Sequence, residues 1–325
     1  MRSPRLASLA IALFCLAACG DDKSEDNPTG TATSATGSGS SSGGAGGSSS
    51  STGSGAAQVT DDFEAGGDRP VTVHVPEGYD PSQPTPLLIL LHGYSASGFI
   101  QNTYFMLEPV ADARGLVYAY PDGTENPEAN HFWNATDACC DFYGSGVDDV
   151  GYLLGLVDEI SSKLNIDPSR IYFAGHSNGG FMSYRLACEA SDRIAAIISL
   201  AGANFGDPAD CNATAPLSVL QIHGDADETV PYQGGSFTTS SIPSALESVA
   251  YFAALDGCDP SPEPGDPIDL DSGIDGAETA VQSFTGCDAG YAAELWTIQG
   301  GGHIPALAAS FPELIVDFAL AHPKP

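Results

Sequence analysis

The stretch IYFAGHSNGGFMSYRL, residues 171–186, decides the fold of this chain. Ile171–Ala174 is a short apolar run typical of a buried strand, and the residues from Gly179 onward predict a helix. Between them, GHSNG (175–179) fits the G-x-S-x-G pattern, a sharp strand-to-helix turn that exposes a serine hydroxyl. Residues 39–43 fit the same pattern but have neither a strand before them nor a helix after them. The context therefore predicts that Ser177 is a nucleophile.

A carboxylate is expected downstream of Ser177, because a serine nucleophile needs a histidine base whose ring is oriented by an acid. In this type of fold the acid precedes the histidine, and each follows the carboxyl end of a strand. The strand predicted at Val219–His223 leads into a loop with three candidate acids, between which spacing does not choose: Asp225, Asp227 and Glu228.

The histidine predicted to act as the base is His303. It follows a strand that ends at Ile298 and a run of three glycines, Gly300–Gly302. Of the other histidines, two precede glycine at strand ends and are interpreted as stabilising loops, one is the variable position of the serine motif, and three lack catalytic context: His92 and His223; His176; His74, His131 and His322.

Acyl transfer also needs N–H donors for the negative oxygen of the tetrahedral intermediate. One predicted donor is the backbone N–H of Asn178, directly after the nucleophile. The other is expected from the loop that follows the strand Leu87–Leu91, and we assign it to the N–H of Tyr94. The ring of Tyr94 is also a candidate for lining the acyl pocket.

Apolar runs alternate with amphipathic stretches throughout residues 59–325. This alternation predicts a single α/β catalytic domain with a mostly parallel, doubly wound sheet, the α/β-hydrolase fold. Predicted strands are Val71–Val75, Leu87–Leu91, Leu116–Tyr120, Ile171–Ala174, Ala195–Leu200, Val219–His223 and Ala293–Ile298. Predicted helices are Phe99–Ala113, Asp148–Leu164, Gly179–Glu189, Ser244–Leu255 and Phe311–Ala321.

The first 58 residues predict export. Arg2 and Arg5 precede a short apolar run, so residues 1–18 are interpreted as a signal peptide. The run ends in LAAC, which resembles a bacterial lipobox and predicts lipidation of Cys19 and anchoring to a bacterial membrane, on its periplasmic side or at the cell surface. An ordinary signal peptide with an incidental Cys19 is the alternative. Residues 19–58 are rich in Gly, Ser and Thr and predict a flexible tether.

The charge of the chain argues against nucleic-acid binding. It carries 10 Lys and Arg against 42 Asp and Glu, a net charge of −32, and phosphate contacts need a basic surface. Adaptation to high salt and an ordinary acidic secreted protein are both compatible with this excess.

Six cysteines lie in the predicted domain, and in an exported chain they predict three disulfides. The pair that brackets one loop, Cys258 and Cys287, is the strongest. The four remaining cysteines, Cys139, Cys140, Cys188 and Cys211, allow three pairings. Those in which Cys139 or Cys140 joins Cys188 are favoured. None has metal-ligand spacing, so neither a metal nor a cofactor is predicted. Residues 259–279 are interpreted as a polar loop, with a calcium loop at Asp269–Asp275 as the alternative.

An ordered set of motifs resembles the bacterial polyhydroxybutyrate depolymerases and feruloyl esterases, relatives of carbohydrate esterase family 1. The matching pieces are LLHG (90–93), FWNA (132–135), CC (139–140), VDDVG (147–151), GHSNGG (175–180), HG (223–224) with VPY (230–232), and GGGH (300–303). The resemblance implies that Asp227 is the catalytic acid and that Trp133 helps to wall the acyl pocket, although a buried structural tryptophan is the alternative.

One motif departs from the family pattern, because His303 is followed by Ile304 and Pro305 where many relatives have a tryptophan. This puts the pocket wall in doubt. Together with the predicted triad and the predicted export, the resemblance implies an exported serine esterase that acts through an acyl-enzyme on plant hydroxycinnamate esters or polyhydroxyalkanoate oligomers. An acetylxylan-type esterase, a serine peptidase on the same fold and a non-catalytic surface lipoprotein are the alternatives.

Overall fold

A computed structural model describes residues 60–238 and 240–325. The described residues fall within one compact unit, Ser54–Pro325. The predicted signal peptide, the lipidation candidate Cys19 and the tether lie outside the described residues. No helix within residues 60–238 and 240–325 is long and apolar enough to cross a membrane.

The main element of the fold is a ten-stranded sheet in the order β1-β2-β4-β3-β7-β8-β9-β14-β13-β12. The fourteen strands in chain order are β1 (Phe63–Ala65), β2 (Val71–His74), β3 (Thr85–Leu91), β4 (Val117–Ala119), β5 (Thr124–Glu125), β6 (His131–Phe132), β7 (Ile166–His176), β8 (Ala196–Leu200), β9 (Ser218–Gly224), β10 (Gly235–Phe237), β11 (Ser240–Ile242), β12 (Pro262–Pro264), β13 (Thr279–Phe284) and β14 (Ala293–Ile298). The six central strands, from β4 to β14, are parallel, and antiparallel strands flank them at both edges.

Helices cover both faces of the sheet. They are α1 (Gly98–Phe105), α2 (Leu107–Ala113), α3 (Asp149–Lys163), α4 (Asn178–Glu189), α5 (Ala245–Leu255) and α6 (Phe311–Ala321). Alternate residues of β3 enter two separate cores, Leu87 with α3, α4 and α5 and Leu88 with α1, α2 and α6. This period of two explains the continuous apolar strands and confirms the predicted doubly wound α/β fold.

The register of the parallel strands brings the predicted site residues to one edge of the sheet. Gly175 of β7 pairs with Leu91 of β3, and Gly224 of β9 pairs with Ile298 of β14. The loops that follow these four strands therefore meet beyond the same carboxyl edge, which is where open α/β sheets carry their sites.

The helix predicted at Phe99–Ala113 is two helices. The chain breaks at Met106, which has a left-handed backbone with φ of 52°. The side chain of Asn102 holds the break, because its amide donates to Glu108 and its oxygen accepts from the Tyr118 hydroxyl and the Glu108 N–H. Asparagine side chains compete in this way with helical backbone bonds, a tertiary effect that periodicity does not report.

The calcium-loop alternative at Asp269–Asp275 receives no support from the geometry. Asp271 points its Oδ1 at backbone N–H groups of Gly273 and Ala306, so this oxygen serves a turn and a loop contact. The predicted polar loop at residues 259–279 ends at the first residue of β13, a strand of the main sheet that the sequence did not predict.

The structure contains three disulfides, Cys139–Cys140, Cys188–Cys211 and Cys258–Cys287. The last is the pair that the sequence favours. The favoured bond from Cys139 or Cys140 to Cys188 is wrong, because Cys188 near the end of α4 faces Cys211 with a Cα–Cα distance of 4.8 Å. Cys139 and Cys140 instead pair with each other within one loop.

Candidate active site

Ser177 sits on a strained turn between β7 and α4. Its φ is 53° and its ψ is −117°, a conformation that L-residues rarely adopt and that the surrounding packing must enforce. A Cβ at Gly175 would lie 2.3 Å from the Gly179 backbone, and one at Gly179 would lie 2.1 Å from the Leu91 carbonyl oxygen. The turn therefore needs both glycines of the motif to let the strand, the helix and β3 approach so closely.

The structure brings Ser177, His303 and Asp227 together as one hydrogen-bonded chain. The Ser177 hydroxyl lies 2.9 Å from His303 Nε2, and His303 Nδ1 lies 2.7 Å from Asp227 Oδ2. If the carboxylate accepts the Nδ1 proton, Nε2 is left free to accept the proton of the serine hydroxyl. His303 lies 126 positions after Ser177 and 76 positions after Asp227 in sequence, but all three residues meet at the same sheet edge.

Asp227 is buried and fully engaged as an acceptor. Its Oδ1 accepts the N–H groups of Thr229 and Val230 at 2.7 and 2.9 Å. Burial by itself would raise the pKa of this carboxyl, but hydrogen bonds from His223 and His303 outweigh burial and hold the pKa far below its usual range. Asp227 is therefore a carboxylate at every working pH.

The two rival acids of the same loop do not contact His303. Asp225 is exposed, and its Oδ1 accepts the N–H of Gly300 at 2.6 Å. Glu228 is also exposed. Asp225 thus braces the glycine run before His303, while Asp227 alone reaches the imidazole.

Two histidines that the sequence interpretation set aside contact the candidate triad. His223 Nε2 lies 3.3 Å from Asp227 Oδ2 and 2.9 Å from the Val230 carbonyl oxygen. His176 Nε2 lies 2.9 Å from the backbone carbonyl oxygen of His303. The only sequence signal for these contacts was proximity to the motif residues themselves.

Two backbone N–H groups beside Ser177 donate no hydrogen bond within the described residues, those of Tyr94 and Asn178. The loop that carries Tyr94 runs directly against the serine, since a Cβ on Gly93 would lie 3.5 Å from Ser177 Cβ. This loop is fixed, because Gly93 donates to Gln101 and Ser95 donates to the His131 carbonyl. Free, rigidly held donors next to a nucleophile have the arrangement that an oxyanion hole requires.

His92 also holds the loop that carries Tyr94, through a hydrogen bond to Gly93. Its Nε2 lies 2.8 Å from the Gly123 N–H, so Nε2 is the acceptor and Nδ1 carries the proton that it donates to the Gly93 carbonyl. Burial lowers the pKa of His92 to about 4 and keeps the ring neutral.

Trp133 does not wall the acyl pocket, and that prediction is wrong. Its side chain is 0% exposed and lies beneath the Tyr94 loop, where its indole N–H donates to the His92 carbonyl at 3.1 Å. Its backbone binds the Asn178 side chain in both directions, at 2.8 and 2.9 Å. The tryptophan therefore supports the two predicted oxyanion donors, which is the structural alternative left open by the sequence.

The aromatic side chain beside Tyr94 is Phe142, which the sequence interpretation did not single out. The two rings meet edge to face with centroids 5.3 Å apart. Phe142 is 53% exposed, and Tyr94 is half-buried. Within residues 60–238 and 240–325, no group of three or more His, Cys, Asp or Glu side chains is arranged to hold a metal ion.

Comparisons with known proteins show that the chain is similar to esterases. The sequence profile described as phospholipase/carboxylesterase matches residues 147–261. The chain is 30% identical over 260 residues to the esterase NocK of Nocardia uniformis, covering 74% of this chain and 71% of that protein. It is also 30% identical to feruloyl esterase B of Piromyces equi, covering 72% of this chain and 42% of that protein.

Two further matches extend the comparison. A poly(3-hydroxybutyrate) depolymerase of Ralstonia pickettii is 36% identical over 141 residues, which cover 39% of this chain and 28% of that protein. These relatives confirm the resemblance inferred from the motifs, although the chain spans less than half of the Piromyces and Ralstonia proteins. The solved acetyl xylan esterase of Aspergillus awamori shares the fold, with a TM-score of 0.54, 14% identity and coverage of 82% of this chain and 98% of that one.

Proposed function

We propose that this carboxylic ester hydrolase, which belongs to the same family as the esterase NocK and has the α/β-hydrolase fold, works through an acyl-enzyme on Ser177. The observation that carries the proposal is the chain of contacts from the Ser177 hydroxyl to His303 and from His303 to Asp227, at 2.9 and 2.7 Å. The two free N–H groups beside Ser177 support the same chemistry.

In the acylation step, Ser177 Oγ attacks the ester carbonyl carbon while His303 Nε2 takes its proton. The carbonyl oxygen becomes negative and accepts hydrogen bonds from the Tyr94 and Asn178 N–H groups. Asp227 stabilises the imidazolium through Nδ1. The imidazolium then gives its proton to the alcohol oxygen, the carbon–oxygen bond breaks, and the alcohol leaves.

Deacylation repeats these steps with water in place of the serine hydroxyl. His303 Nε2 takes a proton from the water, the hydroxide attacks the acyl carbonyl, and the same N–H groups stabilise the second oxyanion. His303 finally returns a proton to Ser177 Oγ, and the acid product leaves.

Hydrolysis of p-nitrophenyl acetate tests the proposal directly. We expect release of p-nitrophenol by the wild type, loss of that activity in Ser177→Ala, and a mass increase of one acyl group on Ser177 in acid-quenched reactions. Melting temperatures of both proteins control for folding. Equal activity in Ser177→Ala would overturn the proposal, and faster cleavage of a peptide panel than of esters would favour a peptidase.

For the substrate, we propose esters that carry an aromatic or medium-length acyl group. The support is an aromatic platform, defined as the side chains of Tyr94, Phe142 and Tyr143. It includes the ring of the residue whose backbone N–H is the proposed oxyanion donor, Tyr94. The Tyr94 hydroxyl accepts from Asn126 at 2.9 Å, which fixes its ring, and Phe142 and Tyr143 are 53% and 47% exposed. Flat rings stack on such surfaces more favourably than an acetyl group does.

The side chain directly after His303, that of Ile304, is 69% exposed. Relatives named feruloyl esterase and poly(3-hydroxybutyrate) depolymerase give the substrate classes to compare. Measurement of kcat/KM for methyl ferulate, p-nitrophenyl acetate and a hydroxybutyrate trimer tests the preference. A methyl ferulate value far below both others would refute it.

We also propose that the enzyme is exported and anchored through a lipid on Cys19. The LAAC sequence at 16–19 and the three disulfides support export to an oxidising compartment. Cys19→Ser should release active enzyme from membranes into the soluble fraction. Membrane retention of this variant after normal signal cleavage would mean that the anchor lies elsewhere.

A further inference from the structure

We propose that His176, the residue before the nucleophile, is a positioning residue that holds the catalytic histidine in register with Ser177. The proposal rests on the function proposed above. Its basis is one hydrogen bond between residues 127 positions apart, from the ring of His176 to the backbone of His303.

The tautomer of His176 follows from its partner. A carbonyl oxygen can only accept, so Nε2, which lies 2.9 Å from the His303 carbonyl oxygen, must carry the proton. Nδ1 is then unprotonated in the neutral ring, and no protein donor reaches it within the described residues. The ring has one hydrogen bond to give, and it gives it to the catalytic histidine.

This bond closes a short loop of contacts around the reacting atoms. Starting from Ser177 Oγ, the path runs 2.9 Å to His303 Nε2, through His303 to its carbonyl oxygen, 2.9 Å to His176 Nε2, and back along the chain to Ser177. Each histidine ring therefore constrains the other. A displacement of the serine turn carries the base with it, so the distance between nucleophile and base is preserved.

Packing reinforces the bond. The centroids of the two imidazole rings lie 5.0 Å apart, and the Tyr104 ring packs edge to face against His176 with a centroid distance of 5.5 Å. The titratable groups that act on His176 are His303, Asp227 and His223. Burial lowers the pKa of His176 to about 3, so the ring remains a neutral donor throughout the range in which the enzyme is expected to work.

Other hydrogen bonds anchor the remainder of the His303 loop without touching His303. The Tyr104 hydroxyl donates to the Pro305 carbonyl at 2.7 Å, and Asp271 accepts the Ala306 N–H at 3.1 Å. These bonds hold the loop in place. The His176 bond, by contrast, is made to the backbone of His303 itself, which distinguishes its role from general support of the loop.

A matched pair of variants tests the hydrogen bond. In His176→Gln the amide nitrogen lies the same number of bonds from Cα as Nε2 and can still donate, whereas His176→Met has the same reach without a donor. With p-nitrophenyl acetate we expect His176→Met to lose roughly 10-fold to 100-fold in kcat with KM nearly unchanged, because small displacements of a catalytic group have effects of this size. His176→Gln should retain most of the wild-type kcat.

The control is Tyr104→Phe, which removes an anchor two residues from His303 and should lower kcat much less than His176→Met. Melting temperatures separate folding from positioning, and kcat is measured well below the lowest of them. Equal kcat loss in His176→Gln and His176→Met, or wild-type kcat in His176→Met, would overturn the role of His176. Retained activity in Ser177→Ala would instead overturn the proposed function itself.

Discussion

Replacement of Asp227 by Asn tests the identity of the catalytic acid most sharply. Asparagine has almost the same shape, so its oxygen can keep the two hydrogen bonds from Thr229 and Val230 that Oδ1 now accepts at 2.7 and 2.9 Å. With the amide oxygen in that position, the NH2 group faces His303 Nδ1 and replaces Oδ2, the carboxylate oxygen that lies 2.7 Å from Nδ1 in the wild type.

Two N–H donors cannot remain at that distance. The imidazole must give up its Nδ1 proton and carry the proton on Nε2, which then cannot accept the proton of Ser177. The wrong tautomer of the base in a serine protease triad lowers kcat about 10⁴-fold, or about 5.5 kcal/mol at 1.36 kcal/mol for each factor of ten. We expect a loss of the same order for Asp227→Asn.

The assay is kcat/KM for p-nitrophenyl acetate at neutral pH, with the melting temperature as a check that the domain is folded. Asp225→Asn is the matched control, because Asp225 lies in the same loop but is exposed, and its carboxylate accepts the Gly300 N–H rather than contacting His303. Its kcat/KM should stay within a few-fold of the wild type. An inactive Asp225→Asn together with a fully active Asp227→Asn would refute the assignment.

Three further predictions concern specificity and stability. Phe142→Ala should lower kcat/KM for methyl cinnamate relative to methyl butanoate by about 2-fold to 10-fold, the size of a ring-pair contact, whereas Phe99→Ala, 70% exposed on α1, should leave that ratio unchanged. Burial raises the pKa of Asp256 to about 7, so the native state binds a proton more tightly than the unfolded chain between about pH 4 and 7, and stability should fall by up to about 4 kcal/mol as pH rises through that window. Urea unfolding across this range should show a flatter profile for Asp256→Asn, and an equal slope in both proteins would contradict the prediction. Replacing Cys258 and Cys287 together by Ser should lower the free energy of unfolding by about 3 to 4 kcal/mol, because the bond closes a loop with a sequence separation of 29; an unchanged urea midpoint would refute this.

The parts of the fold that could be predicted from sequence are those with a strong local signal. The β7–Ser177–α4 turn has a buried strand, two obligatory glycines and a helix in a fixed order, and each is visible in residues 171–186. The β9 and β14 strands were recognisable as predominantly apolar runs. Since parallel strands place their carboxyl ends at one edge, the strand assignments alone predict that Ser177 and His303 lie near each other.

The parts that could not be predicted depend on contacts between distant segments. Whether Trp133 walls a pocket or is a buried support depends on where its loop packs. The sequence around Trp133 is compatible with both roles. The partner of Cys188 depends on how the segment after β8 returns to α4. Among three acids in one loop, the choice of Asp227 rests on which side chain turns inward, and loop composition does not encode that direction.

The distribution of histidines fits the proposal that His303 is the proton carrier of the site. Four histidines lie at or beside the site, and the rings of His92, His176 and His223 all contact backbone carbonyl oxygens. Burial lowers the pKa of His92 to about 4 and that of His176 to about 3, so these two rings remain neutral donors that hold the oxyanion loop and the base. His303 is the one whose Nε2 reaches the serine hydroxyl. In the proposed mechanism the three buried rings fix geometry, and proton transfer takes place at His303, the residue that Asp227 orients.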